Sequence, residues 1–132
     1  MTRPPILIIT PDAALAQTVA SALQFAGFQP VPLARASALP GLSGTSPPVL
    51  AVIDLGTEDL AGLEAIRQWK AAPQTCAIPL LAMSRDALDG EQARFASRAC
   101  AGYSLIGGTA RDLIKMIQVI LHQPRPRTRR TP

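Results

Sequence analysis

Cysteine is scarce in this chain: Cys76 and Cys100 are the 2 among 132 residues. Thiols so few and so widely spaced indicate neither a zinc site nor a disulfide framework. Both are read as small reduced residues of a cytoplasmic protein. Histidine occurs once, as His122, beside a helical stretch whose last carbonyls it is placed to meet. No nucleophile, base and orienting group stand in a telling pattern, so the expectation is a protein that is not an enzyme. Long apolar runs are missing too. Nothing approaches the roughly 20 residues of a membrane span, and the run after Met1-Thr2-Arg3-Pro4-Pro5 is far too short for a signal peptide.

Acidic residues are absent from the end of the chain. Residues 123–132 hold Arg125, Arg127, Arg129 and Arg130. Taking those 4 from the 13 basic residues leaves 9 against 9 acidic ones, so the body is neutral and the net charge of +4 belongs to the tail. Pro124, Pro126 and Pro132 favour an extended segment that does not pack. Four arginines without aromatic partners make a weak footprint for nucleic acid, which this tail alone would contact. The expected division is therefore a domain over residues 1–122 and a flexible Pro/Arg-rich tail over 123–132. With 48% hydrophobic residues, one domain of this size buries a substantial core.

What the body does contain is an alternation of strand and helix patterns, the mark of βαβ units and a parallel sheet. Ile6 to Ile9 is the first strand. Thr10-Pro11-Asp12 supplies an N-cap, a proline at the first helical position and an acid near the positive helix end. Leu15, Val19, Leu23 and Ala26 follow at helical spacing, and Gly27 stops the helix. A second strand lies within Phe28 to Leu33, where Pro30 and Pro32 push it toward a sheet edge. Residues 34–48 are irregular, with one or two helical turns at Ala36 to Leu39. Val49 to Ile53 is a short buried strand that ends on Asp54. A helix over Leu60 to Ala71 follows, in which Trp69 is a packing residue. Ile78 to Met83 forms a fourth strand, closed by Ser84, before a helix over Asp86 to Ala101. Tyr103 to Ile106 is a fifth strand, and Leu113, Ile117, Ile120 and Leu121 mark the last helix. Five strands and five helices, the second short or irregular, give an α/β fold: a flavodoxin-like, doubly wound parallel sheet of order 2-1-3-4-5.

An acid at the carboxyl end of a parallel strand sits where such sheets place their sites. Asp54-Leu55-Gly56-Thr57-Glu58-Asp59-Leu60-Ala61-Gly62-Leu63-Glu64 resembles the response-regulator receiver (CheY-like) domain, with its strand-end Asp and Gly-Leu-Glu opening the next helix. Ile78-Pro79 before a strand ending in Ser84, and Ala101-Gly102-Tyr103, carry the likeness further, and it spans about residues 5–122. The resemblance makes Asp54 the phosphoacceptor equivalent, and Ser84 and Tyr103 the switch hydroxyl and aromatic. It also shows what is replaced. The family's two acids after the first strand read Thr10 and Pro11, and its lysine after the fifth reads Ile106, followed by Gly107. Asp12 is acidic but one residue further on, where pairing with the helix dipole suits it. Arg85, after Ser84, reads as a solvated arginine or as replacement charge for Asp54.

Phosphoryl transfer to a carboxylate brings two anions together, so positive charge must be supplied. Each lost electrostatic contact of that kind costs about 2.7–4 kcal/mol. With the acid pair and the lysine both replaced, the expectation is a pseudo-receiver: a module of bacterial two-component signalling that binds proteins without being phosphorylated. No cofactor is expected. Magnesium would enter only with retained phosphorylation, on Asp12, Asp54 and Gly56. The alternative is a phosphoacceptor with an altered site, still using Asp54. A protein partner or a second copy would use the face built by residues 86–122.

Overall fold

The computed structural model describes residues 3–33, 47–55, 61–84, 94, 98–105 and 110–122, with the side chains at 61–63 and 103–105 left aside. Its elements are β1 (Pro5–Ile9), α1 (Ala13–Phe25), β2 (Gln29–Leu33), β3 (Leu50–Asp54), α2 (Ala61–Ala71), β4 (Leu80–Ser84), β5 (Gly102–Leu105) and α3 (Ala110–His122). The five strands form one sheet in the order β2-β1-β3-β4-β5, and every neighbouring pair is parallel. That is the order expected from the strand count. The helical turn at 36–39, Ile106 and most of the helix at 86–101 lie outside the described residues.

The three central strands are apolar up to their carboxyl ends because both faces of the sheet are covered. Successive side chains alternate between faces. Ile6, Ile8, Leu50, Val52, Leu81 and Met83 pack with Val19 and Leu23 of α1 and with Leu113, Ile117 and Ile120 of α3. Leu7, Ile9, Ala51, Ile53, Leu80 and Ala82 pack on the other side with Ala65, Ile66 and Trp69 of α2. Trp69 is fully buried, and its indole N–H donates to the Ile78 carbonyl at 3.0 Å. An indole taken out of water needs such a partner.

β2 is an edge strand, as its prolines imply. Gln29 N donates to Pro4 O, and Leu33 O accepts from Thr10 N. Residues 29, 31 and 33 therefore turn their backbone groups toward β1, and Pro30 and Pro32 occupy the outward positions, where no neighbour needs an N–H.

The start of α1 differs from expectation. Thr10 is not its cap. The helix begins at Ala13, and Asp12 is the N-cap, with an extended backbone and a carboxylate that accepts from the Ala14 and Leu15 amides. The Thr10 hydroxyl is drawn instead to a partner across the sheet. The helix ends as expected: Gly27 takes φ 97°, Gly27 N donates to Gln24 O and Phe28 N to Leu23 O. This paired closure needs a residue at ease in the left-handed region. The fourth strand opens at Leu80, two residues later than expected, because Ile78 N is spent on a turn with Thr75 O.

Candidate functional site

Parallel strands deliver their carboxyl ends to one side of the sheet, and β1, β3 and β4 are adjacent there. Ile9 pairs with Ile53 and Asp54 with Met83. The residues that leave these strands, Thr10, Asp54 and Ser84, thus come together. They are also the buried polar and charged residues among those described, at 5%, 8% and 3% exposure. Thr10 Oγ1 donates to Asp54 Oδ2 at 2.7 Å in a buried hydrogen bond. The same oxygen accepts the Asp12 amide at 3.1 Å. Asp12 Oδ1 accepts the amides of Ala14 at 3.0 Å and Leu15 at 3.1 Å, so its carboxylate serves the helix. Pro11, between them, is exposed.

Tyr103 lies on β5 opposite Ala82, and Leu105 lies opposite Ser84. Gly56, Arg85, Ile106 and Gly107 fall outside the described residues. The partnership of Thr10 with Asp54 went unforeseen in the sequence, where Thr10 counts as a position that has lost an acid. Its signal was a hydroxyl at the carboxyl end of a strand next to the one bearing Asp54.

A hard divalent cation needs several carboxylate, carbonyl or water oxygens converging on one point. The donors described here do not fit that need. Asp54 Oδ2 accepts a neutral hydroxyl, Asp12 Oδ1 caps a helix, and no group of three or more His, Cys, Asp or Glu converges among the described residues.

The remaining candidates are dispersed. A ring nitrogen of His122 pairs with the Gln118 carbonyl at 2.6 Å within α3. Cys76 is exposed, and Cys100 is half-buried with a free thiol. Burial pushes the Cys100 thiol from its ordinary 9.0 up to about 11, against the opposing pull of the Lys70 ammonium. Such a thiol is a poor nucleophile at neutral pH.

No family model matches this sequence, and no curated protein does. Solved structures do. A CheY-like response regulator receiver domain protein from Methanospirillum hungatei superposes with a TM-score of 0.77 at 21% identity, over 91% of this chain and 94% of that one. The chemotaxis protein CheY4 of Vibrio cholerae gives 0.79 at 16% identity, over 90% and 99%. A sensor protein from Polaromonas sp. gives 0.77 at 22% identity, over 90% and 96%. The fold is therefore that of the CheY-like response-regulator receiver domains.

Proposed function

We propose that residues 1–122 are a receiver-like module of a cytoplasmic signalling pathway that acts through protein contacts without being phosphorylated. One observation carries the reading: the Thr10 hydroxyl holds Asp54 Oδ2 at 2.7 Å, in a buried site. In a working phosphoacceptor that oxygen faces a cation. Here it faces a neutral donor, and Asp12, the acid after β1, turns Oδ1 to a helix end. Adding a phosphoryl group at that oxygen would break the Thr10 bond and bring further negative charge into a buried site. Two missing electrostatic contacts, at about 2.7–4 kcal/mol each, slow the transfer by roughly 10⁴–10⁶.

Output through the face of residues 86–122, toward a protein partner or a second copy, suits this reading. α3 presents Arg111, Lys115, Gln118 and Val119 to solvent there. Ser84 and Tyr103 would then be structural survivors of a switch, and the tail over 123–132 an appended basic segment. No helix among the described residues is long and apolar enough to cross a membrane.

A titration with magnesium and beryllofluoride, followed by amide NMR shifts with Asp54→Ala as control, decides the matter. The expected result is no saturable shift at Asp54, Ser84 or Tyr103 in a folded sample. Saturable shifts that vanish in Asp54→Ala would establish the alternative, a phosphoacceptor with an altered site.

A further inference from the structure

Thr10 is bound on both sides. Its Oγ1 donates to Asp54 Oδ2 at 2.7 Å and accepts the Asp12 amide at 3.1 Å. Asp12 then accepts the Ala14 and Leu15 amides through Oδ1, and its carbonyl accepts the Ala16 amide at 3.0 Å. These bonds form an unbroken chain from the carboxyl end of β3 to the first turn of α1. A hydroxyl that donates to a carboxyl oxygen becomes a better acceptor itself, so the two bonds at Thr10 strengthen one another. The side chain is also β-branched and stiff at χ1, which keeps the oxygen between its partners.

From this geometry we infer that Thr10 is a positioning residue that ties Asp54 to the cap of α1, so that whatever engages Asp54 Oδ2 is registered in the first turn of that helix. The inference rests on the reading above that a hydroxyl, and not a metal, satisfies Asp54. A cation or strong hydrogen-bond donor entering the pocket competes with Thr10 for Oδ2. When it wins, the hydroxyl is released to rotate, the Asp12 amide loses its fixed acceptor and the cap loosens. Val19 and Leu23 stay buried against the sheet, so the response is confined to the helix start. The device reports the pocket through α1, on the opposite side of the sheet from α2.

Amide hydrogen exchange tests this without any ligand, in the full chain and in Thr10→Val, Asp54→Ala and the double variant. Exchange at Asp12, Ala14 and Leu15 is normalised to Ile117 of α3, which removes global destabilisation. Each single variant is expected to speed these three amides roughly three- to tenfold, the range spanned by one intramolecular hydrogen bond. The double variant is expected to add nothing further, because both changes cut one chain. Thr10→Ser keeps the hydroxyl and stays near the parent. Unchanged exchange in Asp54→Ala, or additive effects in the double variant, would overturn the relay. If Asp54→Ala does not fold, the near-isosteric Asp54→Asn must still move the Asp12 amide proton upfield, and a stationary resonance would be equally decisive against it. Magnesium and beryllofluoride play no part here, so failure of the relay and failure of the functional reading are separate results.

Discussion

A buried carboxyl group that loses a donor keeps part of the cost of having left water, which gives the Thr10–Asp54 pair its weight at the scale of single residues. Thr10→Val preserves shape and removes only the hydroxyl. Urea unfolding should place it about 1–3 kcal/mol below the parent, with Thr10→Ser much closer. Asp12→Ala removes a cap that serves two amides and should cost about 1 kcal/mol. Phe25, by contrast, is 96% exposed, and Phe25→Ser should stay within roughly 0.5 kcal/mol of the parent in the same assay. Cys100 adds a pH dependence. Its thiol is raised to about 11 in the fold, so above pH about 9 the unfolded chain gives up its proton first. The stabilising contribution is complete below that point and is lost as pH climbs toward 11. Urea midpoints from pH 8 to 11 should fall for the parent more steeply than for Cys100→Ala.

Strands and helices were legible where burial wrote them into consecutive residues. β1, β3 and β4 are buried on both faces, so Ile6 to Ile9, Val49 to Ile53 and Ile78 to Met83 read as apolar strands without any alignment. Boundaries failed where a distant group competes. Thr10 looks like a cap in its own segment, but its partner lies 44 residues away, and no local signal ranks that bond above the helix start. Equally invisible was how closely α3 crosses β5. A Cβ added at Gly102 would stand 2.9 Å from Ile120 Cδ1, 3.1 Å from Leu81 Cδ1 and 3.2 Å from Met116 Sδ. Gly102→Ala should therefore force those side-chain ends apart and cost about 1–3 kcal/mol, read as a lowered thermal midpoint.

For the molecule as a whole, the retained information is pattern and not identity. Sequence identities of 16–22% accompany TM-scores of 0.69–0.79 across eight of the similar solved structures, while no family model matches. Apolar alternation, the edge prolines of β2 and the glycine closing α1 suffice for the fold. Thr10 and Pro11, at the end of β1, carry no charge, so this sheet forms without charged side chains there. Charge has instead gathered at the end of the sequence, where 4 of the 13 basic residues lie within residues 123–132. That separation predicts that fold and charge come apart on truncation. A chain ending at His122 would fall from a net +4 to zero, yet its unfolding free energy should stay within roughly 0.5 kcal/mol of the parent. Its retention on a heparin column should collapse, since counter-ion release scales with the basic groups engaged. Unchanged retention would place the anion-binding surface on the body, and a large loss of stability would mean that the tail packs against the fold.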